Sequence, residues 1–375
     1  MNLIDLEPPQ NRAGHIVCTC DDNTGLTAEP AAAPALAATA LGYGLNILSQ
    51  TLTIAVLPIA GATLAPRPLF ATLPYAATLV GALVASLVAA LLNNLFGRRA
   101  AFAMGASLGM AGAGLAAWST FQGQFAGLCL GAFWLGTAQA FGLFYRHSAA
   151  IHGRDPKRAV ALVLGAGALA AVSAPSLMQL AQVQAGPFAP AMALALAGLV
   201  QVAVSALSLL QPGRSLAAPR LPRAPGLDMN FLLATAIGAA AWFGMTLLMA
   251  ASPGLMKLCG IRAAGVSAAV SWHLLAMYIP AAVAGFALPA LRSDWIAGFG
   301  LFLLIAAVLI IGLPASLIDF GLVLIVAGCG WSLAMFGSTL TLHAGGEPSA
   351  ALLAGHDAAL FAGAIGGAMS AALII

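Results

Sequence analysis

The stretch Phe231–Ala251 reads FLLATAIGAAAWFGMTLLMAA and contains no charged residue. A helix of this length crosses the hydrocarbon core of a bilayer, which is about 30 Å thick, because each residue advances the helix by about 1.5 Å. Ten other apolar blocks of comparable length occur in the chain. The sequence therefore predicts an all-α, polytopic membrane protein.

The apolar blocks predict eleven transmembrane helices, or twelve if one block merges two crossings. Their limits are Ala37–Ala62, Phe70–Leu92, Ala101–Ser119, Phe125–Phe144, Ala159–Leu180, Phe188–Leu210, Phe231–Ala251, Val266–Leu288, Trp295–Leu313, Ile318–Leu342 and Ala350–Ile375. An outer-membrane barrel would instead show strands of about 10 residues with alternating polarity. Unbroken apolar blocks in a chain with 42 Gly and 21 Pro do not follow that pattern.

The composition excludes several classes of protein. Of the 375 residues, 61% are hydrophobic and 7% are charged, whereas about 25% of a typical soluble chain is charged. Soluble globular, intrinsically disordered and nucleic-acid-binding proteins are therefore excluded. The five Cys residues are few, odd in number and mostly within or beside apolar blocks, so no disulfide framework is expected.

The polar stretches divide the chain into four segments. Residues 1–33 form a soluble tail without the apolar core of a signal peptide, and residues 34–210 contain six apolar blocks. Residues 211–230 form a basic linker, and residues 231–375 contain the other five blocks. We expect an N-terminal six-helix bundle and a C-terminal helical bundle on either side of the linker.

The basic residues predict the orientation of the chain in the membrane. With the N-terminus inside, eleven Lys and Arg residues lie in the tail, in inner loops or at an inner span end, and three lie outside. Basic residues near span ends stay on the cytoplasmic side. The tail and the basic linker are therefore predicted to be cytoplasmic.

Two pairs of metal-binding side chains occur in consecutive blocks. Met245 and Met249 lie four residues apart in the seventh block, and His273 and Met277 lie four apart in the eighth. Residues with this spacing share one face of a helix. Both pairs begin about 10 Å below the expected outer boundary, so neighbouring helices can bring the four side chains around one point.

Three thioethers and one imidazole form a soft, neutral ligand set, which favours Cu(I) over ions that require oxygen ligands. Neutral ligands need no deprotonation and avoid the cost of burying carboxylates in hydrocarbon. Methionine also fills gaps in hydrophobic cores, so simple packing is the alternative interpretation.

The segment Ala90–Arg99 reads ALLNNLFGRR and resembles a cytoplasmic loop signature of the major facilitator superfamily, Gly-x-Leu-Ala-Asp-Arg-x-Gly-Arg-Arg. The matching residues are Leu92, Gly97, Arg98 and Arg99. An asparagine stands at the acidic position of the pattern. The resemblance implies two helical bundles related by an axis along the membrane normal.

The two ligand pairs are similar to those of the CcoA-like copper importers, a bacterial branch of that superfamily. This resemblance implies import of copper, expected as Cu(I), across the inner membrane by alternating access, for assembly of cbb-type cytochrome c oxidase. The matching positions are Met245, Met249, His273 and Met277. The implied partners are the copper ion, membrane lipid and a cytoplasmic copper chaperone or exporter. Copper is then the transported substrate, and no cofactor is expected.

Two further groups are candidate accessory ligands for a soft metal ion. Cys18 and Cys20, with His15 nearby, can chelate such an ion in the predicted cytoplasmic tail, and an inert tail is the alternative. Met256 and Cys259 follow the seventh block on the outer side, where they can receive an ion first. A loop methionine and a packed cysteine are the alternative there.

Ionisable residues in or beside the spans are candidates for ion coupling. His356 and Asp357 lie within the last block, where such residues commonly relay protons or ions. Hydrogen bonding to a neighbouring helix is the alternative, and uniport driven by the membrane potential is also left open. Arg146 and His147, at the end of the fourth block, are expected to anchor their helix at the interface by snorkelling.

Three functions are consistent with these patterns, and copper import is the leading one. One branch of the wider importer group is associated with riboflavin uptake, so transport of riboflavin or another small organic solute is the second. It requires a cavity lined by aromatic and hydrogen-bonding groups. The third is a non-transporting copper-binding assembly factor. An enzyme is not expected, because no nucleotide-binding loop and no nucleophile with its base are recognisable.

Overall fold

The computed structural model describes residues 33–212, 227–288 and 290–371, and all regular elements in these ranges are helical. The predicted all-α fold is therefore confirmed. The predicted tail and the middle of the basic linker lie outside the described residues. The α-helices are α1 (Ala33–Leu64), α2 (Leu73–Phe121), α3 (Phe125–His152), α4 (Pro156–Gly165), α5 (Ala168–Ala185), α6 (Ala189–Ser208), α7 (Met229–Leu258), α8 (Ala263–Ala287), α9 (Ser293–Ile310), α10 (Leu317–His343) and α11 (Ala350–Ser370).

Nine helical stretches in the described ranges are long and apolar enough to cross a membrane. Two of them, Pro68–Phe121 and Pro156–Ser208, contain 54 and 53 residues. One crossing needs only about 20 residues. Each of these two stretches is therefore long enough for two crossings, and the predicted number of eleven or twelve helices stays a prediction.

α2 turns back on itself at Gly97, within the segment ALLNNLFGRR. Gly97 has a φ of 78°, a left-handed conformation that glycine adopts without steric cost. Gly81 in the first half of α2 lies against Phe133 of α3, and Gly112 in the second half lies against Trp134. The two halves therefore run side by side along α3, and the segment forms a tight hairpin.

The two arginines after this turn fasten the hairpin to its neighbours. Arg98 Nη1 donates a hydrogen bond to Ser148 Oγ of α3 at 3.1 Å. Arg99 Nε donates to the carbonyl oxygen of Gln211, beyond the end of α6, at 2.9 Å. The basic residues of the loop signature therefore hold together three chain segments at one end of the molecule.

Helices α1–α6 and helices α7–α11 pack mainly among themselves, and we call them the N-terminal helices and the C-terminal helices. The two groups meet where α2 packs against α11, where α4 and α5 pack against α8, and where α3 and α4 pack against α10. The division of the chain into two bundles around the linker stays a prediction.

One end of the molecule carries most of the described basic residues, and we call it the basic end: Arg98, Arg99, Arg154, Lys157, Arg158 and Arg292. Lys157 Nζ of α4 donates to the carbonyl oxygens of Leu288 and Leu291, beyond the end of α8, at 2.9 and 2.7 Å. Gly285 of α8 also lies directly on Ala161 of α4. The N-terminal and C-terminal helices are thus in close contact at the basic end.

Replacing Gly285 with alanine should lower the thermal unfolding temperature of the detergent-purified protein. The added Cβ atom would collide with the Cβ of Ala161, and overpacking of this kind costs about 1–3 kcal/mol. Adding Ala161→Gly to Gly285→Ala moves the methyl group to the other helix and should restore stability. Gly298→Ala is the matched control, because no atom lies near its added Cβ. A Gly285→Ala protein as stable as the wild type would contradict this contact.

Candidate functional site

The predicted copper ligands lie on two helices that pack on a common neighbour. Met245 is 4% exposed and His273 is wholly buried, whereas Met249 and Met277 are partly buried. α7 and α8 touch each other only slightly, and each packs extensively against α10. α10 therefore lies beside both helices, and the coordination of one ion by all four side chains stays a prediction.

His273 has the hydrogen bonding of a metal-binding imidazole. Its Nδ1 lies 2.6 Å from the carbonyl oxygen of Leu324 in α10. Because a carbonyl oxygen only accepts, Nδ1 of the neutral ring carries the proton and Nε2 presents its lone pair. Nε2 is buried and has no hydrogen-bond partner among the described residues. Metal-binding histidines are commonly oriented in this way by a backbone carbonyl.

The accessory candidates fall into two groups. Met256 lies inside α7 and is wholly buried, so its predicted position in an outer loop is wrong, because α7 continues to Leu258. Cys259 is exposed, and its Sγ lies 4.0 Å from the carbonyl oxygen of Pro314. The remaining accessory candidates lie outside the described residues: His15, Cys18 and Cys20. A role in metal binding stays a prediction for all five accessory residues.

A group of ionisable and hydroxyl side chains, which we call the polar cluster, lies between the N-terminal and C-terminal helices: Arg146, His147, Thr235, Thr339, His343, His356 and Asp357. Arg146 Nη2 lies 2.6 Å from Asp357 Oδ1, and both side chains are wholly buried. Arg146 Nη1 donates to Thr339 Oγ1 at 3.0 Å. A buried ion pair therefore connects α3 to α11.

Three histidines extend this ion pair. His147 Nε2 lies 3.2 Å from Asp357 Oδ1, and its Nδ1 lies 3.0 Å from His343 Nε2. His356 Nδ1 lies 2.9 Å from Thr235 Oγ1 of α7. Four buried polar atoms of the cluster have no hydrogen-bond partner among the described residues: Arg146 Nε, His343 Nδ1, His356 Nε2 and Asp357 Oδ2. The cluster therefore has hydrogen-bonding capacity that its own members do not use.

The prediction that Arg146 and His147 snorkel at the interface is wrong. Both are wholly buried, and they contact α10 and α11 rather than the membrane boundary. A buried arginine needs a counter-charge because an isolated charge in hydrocarbon is very costly. The predicted block ended at Phe144, whereas α3 continues to His152, so Arg146 and Asp357 both lie about 10 Å from the basic ends of their helices.

For His356 and Asp357, the sequence predicted either a proton or ion relay or hydrogen bonds to a neighbouring helix. The hydrogen bonds to other helices are present. Proton coupling through these two residues stays a prediction.

Four aromatic side chains of the C-terminal helices form what we call the aromatic cluster. The Trp242 ring centroid lies 5.9 Å from that of Trp331 and 5.4 Å from that of Phe361. Tyr278 lies 6.0 Å from Trp331 and packs against Gly167, at the break between α4 and α5. Counted from the basic end, these residues lie about 14–20 Å along their helices, near the middle of the membrane.

The indole N–H groups of Trp242 and Trp331 are buried without an acceptor among the described residues. A buried donor without a partner costs about 1–3 kcal/mol. Both are therefore available to a solute that carries hydrogen-bond acceptors. Sequence reasoning missed this group because its members come from four helices. The sequence did contain one signal for this group. Trp242 and Trp331 both lie near the middle of their apolar blocks, whereas Trp in membrane proteins concentrates at the interfaces.

A known transporter shares sequence similarity with most of this chain. The riboflavin transporter RfnT of Brucella anthropi is 27% identical over 314 residues, which cover 80% of this chain and 78% of that protein. An alignment of this length includes parts of both the N-terminal and the C-terminal helices. No protein-family profile matches the sequence.

Solved transporter structures share the fold. The human organic anion transporter MFSD10 superposes with a TM-score of 0.67 and 16% identity, covering 91% of this chain and 93% of that one. FucP, a major facilitator superfamily transporter in the outward conformation, gives a TM-score of 0.56 and 16% identity, covering 88% and 97%. The chain therefore has the fold of this superfamily and is a multi-pass membrane protein. Its place in the copper-importer branch stays a prediction.

Asp357→Asn should reduce the free energy of unfolding by about 3–5 kcal/mol, because Arg146 would become a buried charge without a counter-charge. The double variant Arg146→Gln with Asp357→Asn removes both charges and should recover much of this loss. Thermal and denaturant unfolding in detergent measure both effects. The control is Asp294→Asn, which breaks the exposed pair with Arg292 and should lower stability far less than Asp357→Asn does. A double variant less stable than Asp357→Asn would argue against the ion pair.

Proposed function

We propose that this protein is a secondary transporter that moves riboflavin or a closely related flavin by alternating access. The observation that carries the proposal is the similarity to a riboflavin transporter over most of both chains. The fold shared with superfamily transporters supports transport rather than catalysis. An organic solute therefore takes precedence over copper as the proposed substrate.

The aromatic cluster provides the chemistry that a flavin needs. A flavin ring system is planar and aromatic, and it carries carbonyl oxygens and ring nitrogens that accept hydrogen bonds. Trp242, Trp331 and Phe361 offer aromatic surfaces for stacking. The two indole N–H groups without acceptors can donate to the ring carbonyls. Such a site combines an apolar body with a few placed polar groups, as small-molecule sites usually do.

In this structure the aromatic cluster is closed, since Phe361 and Trp331 are 0% and 5% exposed. The contacts of Lys157 and Gly285 hold the two helix groups together at the basic end. We propose that a substrate enters from the opposite end. With the basic end cytoplasmic, as proposed from the charge distribution, this direction corresponds to uptake across the bacterial inner membrane.

Accumulation of riboflavin requires coupling to an ion. Riboflavin is uncharged, so the membrane potential does not drive its entry, unlike that of a cation. His356 and Asp357 are buried next to the aromatic cluster, and Phe361 lies one helical turn beyond Asp357. We therefore include proton coupling through these two residues in the proposed mechanism.

Trp331→Phe should raise the KM for riboflavin uptake about three- to tenfold, because the ring is kept while one hydrogen-bond donor, worth about 0.5–1.5 kcal/mol, is lost. Trp242→Phe should act in the same direction. The measurement is uptake of radiolabelled riboflavin into a riboflavin-auxotrophic bacterium at equal protein level.

Trp295→Phe is the matched control, because Trp295 is 71% exposed on α9 and belongs to no described cluster. Its uptake kinetics should equal those of the wild type. Wild-type uptake no higher than that of cells carrying an empty vector would refute the proposed substrate. Unchanged kinetics in both tryptophan variants would leave riboflavin transport standing but remove the aromatic cluster as its site.

Copper import is the second candidate, and the geometry of His273 favours it. The ring is fixed by the Leu324 carbonyl, and the buried Nε2 has no partner among the described residues. A free imidazole nitrogen on the same helix face as Met277 suits a soft cation. Entry of one positive charge would also be driven by the inside-negative potential.

If copper is the substrate, uptake of labelled copper should exceed background in wild-type cells and should collapse with Met249→Leu, His273→Ala and Met277→Leu. The Met→Leu changes nearly conserve volume, so little packing is lost. Met335→Leu is the control. Met335 is also a buried methionine, 1% exposed on α10, but it is not one of the predicted copper ligands. Wild-type cells that gain no copper, or variants that import as much as wild type, would eliminate this candidate.

A further inference from the structure

Three members of the polar cluster offer metal ligands within a small volume. One ligand atom from each of His147, His356 and Asp357 lies within 4.8 Å of the other two, and all three residues are buried. His147 comes from α3, whereas the other two come from α11. These residues belong to neither of the proposed substrate sites, and His356 and Asp357 are the residues proposed above for proton coupling.

One edge of this triangle already has the length that a metal site needs. His147 Nε2 and Asp357 Oδ1 are 3.2 Å apart and share a hydrogen bond, so a bound ion would replace the proton of that bond, which would be released to solvent. Two ligands of a tetrahedral Zn²⁺ ion with bonds near 2.0–2.1 Å are separated by about 3.3 Å. The other two edges are no longer than 4.8 Å, so each needs to shorten by at most about 1.5 Å to reach this separation.

Both histidines also have the outer hydrogen bonds that orient metal ligands. His147 Nδ1 contacts His343 Nε2, and His356 Nδ1 contacts Thr235 Oγ1. Binding of the second ring nitrogen by a neighbour fixes the tautomer of a metal-binding imidazole. The other nitrogen of His356 and the second oxygen of Asp357 are buried without a partner among the described residues. Two wholly buried side chains therefore keep ligand atoms that no protein group uses.

The geometry points to a binding site for a divalent transition-metal ion formed by His147, His356 and Asp357. Two imidazole nitrogens and one carboxylate oxygen form a ligand set that is typical of Zn²⁺. This set differs from the methionine-rich ligands predicted for copper on α7 and α8. The ion would join α3 to α11 and so hold the N-terminal and C-terminal helices together near the basic end. This site goes beyond the proposed function, because a bridging ion would restrain transport of any substrate.

Arg146 competes with such an ion. Its guanidinium lies 2.6 Å from Asp357 Oδ1 and already neutralises the carboxylate. A metal ion would add its whole charge to a buried site, which is unfavourable. We therefore expect moderate zinc affinity in the wild type and tighter binding when Arg146 is replaced by a neutral residue.

The test is calorimetric titration of Zn²⁺ into the full-length, tag-free protein in detergent, with Mg²⁺ as the negative probe. The wild type should bind Zn²⁺ and not Mg²⁺. His356→Gln should weaken zinc binding at least about tenfold, and Thr235→Val, which removes only an outer hydrogen bond, should weaken it about tenfold. Arg146→Gln should bind zinc more tightly than the wild type does.

Thr246→Val is the matched control, because Thr246 is another buried threonine of α7 outside the polar cluster, and it should leave zinc affinity unchanged. No zinc binding by the wild type, or equal affinity in the wild type and Thr235→Val, would overturn the proposal. Loss of binding in His273→Gln would also overturn it, because the ion would then lie at α8. Zinc binding is measured by calorimetry and flavin transport by uptake into cells. A failure of the zinc site can therefore be distinguished from a failure of the proposed flavin transport.

Discussion

Every polar group within the hydrocarbon must find its partner inside the protein, because no water is available there. Helices meet this requirement for the backbone, and the described ranges contain no other regular element. The same requirement governs charge. Most described basic residues lie at the basic end, where solvent or backbone carbonyls surround them. Arg146 is wholly buried, and its pairing with Asp357 is what makes that position tolerable.

This pairing has a mechanical consequence. Arg146 belongs to the N-terminal helices and Asp357 to the C-terminal helices, so parting the two groups at this level either separates the charges or admits water to them. Phe361 of the aromatic cluster lies one turn from Asp357 on the same helix. One short segment of α11 therefore contributes both to the aromatic cluster and to the ion pair. In the proposed mechanism, protonation of Asp357 would weaken its attraction to Arg146.

The sequence predicts what depends on local patterns. Composition alone indicates helical crossings such as that of Phe231–Ala251, and the arginines of ALLNNLFGRR mark a hairpin that the structure places at Gly97. Long-range pairing is different: Arg146 and Asp357 are 211 residues apart, and a basic residue at a span end has the same local signature whether it snorkels or pairs. Helical spacing likewise places Met245 with Met249 on one face, but the relation of that face to α8 depends on the packing of α10, which no local pattern specifies.

The three candidate sites follow one another along the molecule. His273 lies five residues before Tyr278 on α8, and Met245 lies three residues after Trp242 on α7, so the soft ligands are farther from the basic end than the aromatic cluster. The polar cluster lies nearest that end. Because these groups occupy successive depths, their chemistries do not exclude one another. The aromatic cluster lies between the other two sites. Its side chains come from α7, α8, α10 and α11, and α5 begins beside it at Gly167. Alternating access requires a site that both helix groups can reach, and the aromatic cluster meets the N-terminal helices where Tyr278 packs against Gly167.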